Sequence, residues 1–289
     1  MKVPANTRLP FFAYGLFKPG QLCFFRIKDL VIGASDAEVE GYLKERDGIP
    51  LLIPGSGFTV KGVLIEFLPA REVEGYTRIV EIESDEVYKW QEVRTSSGIQ
   101  ANALVGKRVD RGSSDLEYVQ EWDSRSDPFF QSALEVIETI LRQNAEFTSD
   151  FKALLRLQMA YSLLWTAIER YAGLRYHLGK GVMEEKIKQI GKEDAFGRSL
   201  KKHVKHGRTV YSTADLGKYT LDPNDPGKSI LYYYQVRSNA VHRGKAVFRD
   251  FDILNDSLSE LLRIFKDILE EAWGSGEAGK VPPLPKRVK

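Results

Sequence analysis

Arg237, Asn239 and His242 stand together in the string Tyr232-Tyr-Tyr-Gln-Val-Arg237-Ser-Asn239-Ala-Val-His242-Arg243-Gly. Histidine is the side chain best matched to proton transfer near neutral pH, and arginine is a permanent, forked cation fitted to phosphate oxygens. Together they suit chemistry at a phosphodiester without a metal. The structural alternative is a half-buried histidine beside Val241 and an arginine tied to a carboxylate. Of Tyr232–Tyr234, which could stack bases, at least two are expected in the core, because consecutive helix positions point in different directions.

His203 and His206, three positions apart, would share a helical face as metal ligands do. No third ligand accompanies them, and Lys201, Lys202 and Lys205 around them oppose a cation, so no metal or other cofactor is expected. Those lysines, with Arg198 and Arg208, form the densest positive cluster of the chain. Such a cluster suits an RNA backbone or a solvated helix face; Arg243 adds a further cation beside His242. In the first half, Leu9-Pro-Phe-Phe-Ala-Tyr14-Gly15-Leu16-Phe17-Lys-Pro-Gly20 reads as a strand entering a tight glycine turn. A glycine there lets the backbone come close to a ligand and offer amides to an anionic group.

Two kinds of element must position these residues. From Leu9 to Arg108 the sequence runs in short apolar or alternating stretches broken by Gly and Pro, among them Pro10–Tyr14, Ala37–Tyr42, Phe58–Phe67, Lys89–Thr95 and Ile99–Val105. That pattern predicts a small β-rich domain over residues 1–110, with a closed or strongly curved, barrel-like sheet and a hairpin turn at Gly98. A polar linker is expected over 111–128. At Asp127-Pro128 the period becomes helical, with Asp as N-cap and Pro in the first turn. An all-α domain is then predicted over 129–273, with helices at about Phe130–Leu141, Phe151–Tyr176, Val182–His203, Ser229–Arg243 and Ile253–Trp273. Residues 206–228 read as a surface loop, and 274–289 as a basic Pro/Gly tail. The fold class is therefore α+β.

The chain of 289 residues carries a net charge of +2, unevenly placed. Residues 1–128 hold 16 Lys and Arg against 20 Asp and Glu, and the remainder holds 26 against 20. A basic second half suits a phosphate-rich partner. No apolar run reaches membrane-spanning length and the N-terminus has no apolar signal core, so a cytoplasmic protein without membrane contact is expected. A single cysteine, Cys23, excludes an internal disulfide and, lying between Leu22 and Phe24, reads as a buried structural thiol.

The string around Arg237 and His242, with its aromatic lead-in, resembles the HEPN superfamily of all-helical domains over about Phe129–Trp273. Ser238 stands directly after the arginine where that family commonly has another polar residue, with Asn239 one place later. The resemblance implies a metal-independent ribonuclease acting as a homodimer. His242 would exchange a proton with the ribose 2′-hydroxyl or the leaving oxygen. Arg237 would stabilise charge on the phosphoryl oxygens, and Asn239 would orient one of them. Spacing agrees with a dimer: five helical positions turn about 500°, leaving the two side chains about 140° apart on one helix.

Over Leu9–Lys107 the order of pieces resembles the γ-glutamylcyclotransferase-like family. Those pieces are the Tyr14-Gly15-Leu16-Phe17 turn, Gly41-Tyr42-Leu43, the loop Gly48-Ile-Pro50, Gly62-Val-Leu, and an acidic segment before Tyr88-Lys-Trp90. The turn departs from the family in having Leu16-Phe17 where a small hydroxyl residue and Leu are usual. The resemblance implies turn amides that hold a γ-glutamyl-like or nucleotide ligand, and Glu83 as proton shuttle, with Glu86 as the alternative. The combined expectation is a ribonuclease with a ligand-binding front domain. The alternatives are a non-catalytic dimeric module that binds nucleotide or protein, and an active γ-glutamylcyclotransferase dimerised by the helical domain.

Overall fold

The computed structural model describes residues 1–46, 48–107, 114–115, 120–144, 151–176, 181–212, 216–242 and 251–274, with the backbone alone at 114, 115, 144, 241 and 242. The chain is α+β. It forms two compact units, one of Met1–Ser124, Leu174–Lys180 and Ala272–Lys289, the other of Arg125–Gly173 and Gly181–Glu271. Among the described residues no helix is long and apolar enough to cross a membrane.

The first unit is built on a six-stranded sheet of β1 (Phe11–Ala13), β2 (Val31–Arg46), β3 (Ile49–Phe67), β4 (Tyr88–Arg94), β5 (Gln100–Gly106) and β6 (Ser114–Asp115). Their order is β4-β5-β1-β3-β2-β6. β1 runs antiparallel to β3 and parallel to β5, and where this short strand ends β3 pairs with β5 directly at Leu52 and Val105. The sheet is open rather than a closed barrel, but it is curved. Val39 of β2 bridges Thr95 just past β4, and the Ser96 amide donates to the Glu38 carbonyl at 2.8 Å. The β4–β5 turn is the expected one, with Gly98 at φ 85°, a conformation open to glycine at little cost.

A helix absent from the sequence reading, α1 (Glu72–Ile82), crosses this sheet. Its buried side is Gly75, Tyr76, Ile79 and Ile82, spaced as one helical face. Tyr76 stands edge-on to Phe11, Phe67 and Trp90, with ring centroids 6.3, 5.3 and 5.3 Å away. The expected linker is no free tether where it is described. β6 pairs with β2, the Gln120 carbonyl accepts from the Lys61 amide at 2.8 Å, and Gln21 bonds both Asp123 and Ser124 at 3.0 Å. Those polar side chains looked like linker composition; they serve as partners for the first unit's buried polar groups.

The second unit holds α2 (Ser132–Asn144), most of α3 (Phe151–Tyr176), α4 (Met183–Ile190), α5 (Asp194–His203), α6 (Pro226–His242) and nearly all of α7 (Phe251–Ala272). The single helix expected over Val182–His203 is two, broken at Gly191, where a Cβ would stand 2.8 Å from Ile230 Cγ2. The all-α expectation is also corrected. Arg208–Tyr211 (β7) and Lys218–Leu221 (β8) pair as an antiparallel ribbon inside the segment read as a loop. Trp165, Tyr161, Tyr171, Tyr232, Tyr233 and Phe265 are buried and form this unit's aromatic core. Tyr232 and Tyr233 thus belong to the core, while Tyr234 is half-exposed against Trp165.

Candidate active site

Glu83 lies at the end of α1, its amide capping the helix by donating to the Ile79 carbonyl at 3.0 Å. Its neighbours Glu81, Asp85 and Glu86 are exposed, whereas Glu83 is 5% exposed. The cause is helical spacing: Glu83 follows Ile79 and Ile82 on the inward side of α1. Its Oε2 is buried without a hydrogen-bond partner among the described residues. Burial pushes its carboxyl up to about 8, and the negative end of the helix dipole acts in the same direction. A buried carboxyl left unsatisfied is costly, and this combination is characteristic of sites that move protons.

Glu83 lines a small cavity of about 20 Å³ with Tyr14, Gly15, Leu16, Phe17, Pro50 and Tyr88. That is room for about one water or a group of that size. The turn after β1 therefore meets the carboxyl that the sequence places some seventy positions later. Among the described residues, the amides of Gly15, Leu16 and Phe17 enter none of the backbone hydrogen bonds of this turn, whereas the carbonyls of Gly15 and Leu16 accept from Lys18 and Cys23 at 3.1 and 2.9 Å. Gly15 brings the turn close to the Pro50 ring: a Cβ there would sit 3.0 Å from Pro50 Cγ, tighter than an ordinary contact.

The two tyrosines of the cavity are committed to the framework. Tyr14 donates its hydroxyl to the Leu104 carbonyl at 2.6 Å and accepts from the Leu52 amide at 3.1 Å. Tyr88 donates to the Pro50 carbonyl at 2.9 Å. Burial holds both phenols far above their usual range, and the nearby Glu83 charge adds to this. Glu83 is thus the one cavity residue whose proton is exchangeable near neutrality. Tyr88 and Pro50 had no assigned role in the sequence reading. Their signal lay in the order of the Gly48-Ile-Pro50 loop and the Tyr88 strand around the acidic segment. Cys23 is buried and donates to the Leu174 carbonyl at 3.1 Å, and burial keeps its thiol protonated.

The helical unit places the other candidates differently. Arg237 is half-exposed on α6, its Nη2 3.3 Å from Glu169 Oε1, with the guanidinium 5.7 Å from the Tyr234 ring centre. Asn239 accepts from Gln235 Nε2 at 2.8 Å and donates to the Tyr211 carbonyl at 2.9 Å, tying α6 to β7. His242 is the last residue of α6, with its side chain outside the described residues, and Arg243 lies outside them altogether. Lys201 is exposed on α5, Lys202 pairs with Asp267 at 3.0 Å, and Lys205 Nζ donates to the Lys202 carbonyl at 3.0 Å. Arg198 faces Glu271 and Arg208 faces Glu260, so carboxylates of α7 balance much of the cluster. His203 Nε2 lies 3.0 Å from Asp267 Oδ2, His206 is exposed, and no metal-binding group of three His, Cys, Asp or Glu occurs among the described residues.

No protein-family model and no curated protein matches this sequence. Among solved structures, an uncharacterized protein from Pyrococcus horikoshii is 22% identical over 48% of this chain and 99% of its own, with a TM-score of 0.29. Allophanate hydrolase from Kluyveromyces lactis is 13% identical over 39% of this chain and 20% of its own, with a TM-score of 0.32. The K. lactis urea amidolyase is 10% identical over 64% of this chain and 16% of its own, with a TM-score of 0.33. The chain spans a fifth or less of the two yeast enzymes.

Proposed function

We propose that the first unit is a γ-glutamylcyclotransferase-like domain in which Glu83 is the general acid–base. The observation that carries this reading is the buried Glu83 carboxyl, without a partner at Oε2 and raised to about 8, beside the Tyr14–Phe17 turn. In the reaction, the α-amine of a γ-glutamyl amide attacks its own γ-carbonyl carbon. A C–N bond forms and the bond to the departing amine breaks. Glu83 takes the proton lost by the attacking nitrogen and returns it to the leaving nitrogen, so it ends as it began and 5-oxoproline is released. The turn amides would hold the γ-carbonyl oxygen as charge grows on it. A carboxyl near 8 fits this role, because a proton shuttle works best when its affinity lies near the working pH. Purified protein incubated with γ-glutamyl amides should release 5-oxoproline, and Glu83→Gln should lower the rate about 10²–10⁴-fold with the fold intact. Equal rates in wild type and variant would end the assignment.

We propose as a second reading that the HEPN-like helical unit cleaves RNA through Arg237 and His242 in a homodimer. The favouring observation is the change of exposure along α6. Tyr232, Tyr233, Gln235 and Val236 are buried, while Arg237, Ser238 and Asn239 are half-exposed, as residues of a surface site must be. Cleavage of mixed RNA in EDTA by wild type, abolished in His242→Ala, is the expected result. Intact RNA with wild type would remove this reading and leave the Glu83 reading standing.

A further inference from the structure

Two sides of α7 bear charge, and they differ in how it is balanced. On one side Asp256, Glu260, Asp267 and Glu271 meet the cations of α5 and β7. On another, Asn255, Ser259, Arg263 and Lys266 recur at steps of four, four and three, which places them in one stripe. α2 faces that stripe with Glu138, Leu141 and Arg142, and the two helices enclose an open groove of about 620 Å³. That is the volume of a small-ligand site. The groove is separate from the Arg237 string. Ser257, which meets Tyr232 of α6, lies on the far side of α7 from the stripe, and Glu260, which meets Tyr233, lies about a quarter-turn round from it.

Its charge is unbalanced. Lys266 pairs with Glu138 across the groove. Arg142 donates weakly to Thr139 Oγ1 at 3.4 Å, and Arg263 has no ion pair among the described residues. Among the lining residues three cations stand against one carboxylate, which leaves the Arg142 and Arg263 guanidinium groups without an ion pair there, and Asn255 and Ser259 add neutral hydrogen-bonding groups. Half-exposed Phe251 lies at one end. Guanidinium forks match phosphate oxygens in bidentate fashion, and an aromatic side chain stacks on a base of any identity. We propose that the α2–α7 groove binds a phosphate ester bearing an aromatic base, with Arg142 and Arg263 on the phosphate and Phe251 against the base. The source is a free nucleotide or a nucleotide within an RNA strand.

The test is calorimetric titration of the full chain with AMP, ATP and a short single-stranded RNA, at low and raised salt. At least one probe should bind, more weakly at high salt. The pair Arg142→Ala, Arg263→Ala should weaken it roughly a hundredfold, about tenfold for each guanidinium–phosphate hydrogen-bonding group removed. Both positions are exposed, so circular dichroism should show an unchanged fold. Phe251→Ala should weaken AMP and leave inorganic phosphate unaffected. Binding of AMP or ATP without RNA identifies the free nucleotide, and binding of RNA alone identifies the strand. The proposal fails if no probe binds, if the double variant binds as tightly as wild type, or if inorganic phosphate competes as well as AMP.

Discussion

At the scale of single residues, the buried carboxyl of Glu83 has a consequence independent of any substrate. Its folded-state affinity for a proton is raised from the ordinary 4.5 to about 8 by burial. Below the ordinary value it is protonated in both folded and unfolded chains and has no linked effect. As pH rises past 4.5 the unfolded chain loses this proton while the folded chain keeps it, so stability falls until the folded carboxyl ionises near 8. The loss across that window is on the order of a few kcal/mol. Glu83→Gln cannot titrate, so its melting temperature should lose the acid-to-alkaline decline that wild type shows. Melting curves of the two proteins from pH 4 to 9 would check this; parallel profiles would mean that the carboxyl is not held protonated. In the proposed cyclotransferase reaction the same proton would govern turnover. A base must start ionised, so kcat/KM for a γ-glutamyl amide should climb through about pH 8, the value of the free carboxyl.

At the scale of elements, the β7–β8 ribbon and α6 are fastened to α7 by one arginine. Arg208 Nη1 donates to Glu260 Oε1 at 2.9 Å, its second fork nitrogen meets the other carboxylate oxygen, and Tyr233 donates to the same carboxylate at 3.1 Å. Both charged side chains are mostly buried, 22% and 15% exposed. Removing the cation alone strands a buried carboxylate. Arg208→Ala should therefore cost about 3 kcal/mol in urea unfolding, and Arg208→Met with Glu260→Leu should cost clearly less. If the double change is the worse one, the pair is worth more than the sum of its desolvation. How these elements stood in the sequence follows from the same kind of detail. α3 and the Gly98 turn were legible because each has an unbroken period or a glycine that needs positive φ. The β7–β8 ribbon was not, since strands of four residues in a polar stretch show too few alternations to register. α1 has a weak signature in the sequence because its inward residues are interleaved with charged ones along Glu72–Ile82 and its flanks. Glu83 was picked out by the order of motifs around it, but its burial, which makes it chemically distinct from Glu81 and Glu86, arises from the turn of α1 and had no signal in composition.

At the scale of the whole molecule, the first unit is discontinuous in sequence, and this makes its stability depend on residues far along the chain. The Leu174 carbonyl accepts from the Cys23 thiol. Arg175, 9% exposed, donates to the Leu22 carbonyl at 2.7 Å and lies 3.9 Å from the centre of the Phe25 ring. Trp273 donates its indole N–H to Ser124 Oγ at 2.8 Å, and Ser124 is itself held by Gln21. Residues 1–124 alone would keep the sheet but leave the Leu22 carbonyl and the Phe25 ring without their cation. Cys23, the one thiol of the chain, lies at the centre of these interactions and reports their opening, because a buried thiol reacts with an aromatic disulfide reagent only when the structure around it opens. Removing a charged hydrogen bond to a buried carbonyl together with a cation–π contact on a ring that is 40% exposed costs roughly 2–4 kcal/mol. Arg175→Ala should then speed labelling of Cys23 by about 30-fold or more, on the scale where 1.4 kcal/mol is a factor of ten. A fragment ending at Ser124 should label faster still. If that fragment instead protects Cys23 as well as the full chain does, the first 124 residues are self-sufficient and residues 174–176 and 272–274 are only neighbours to them.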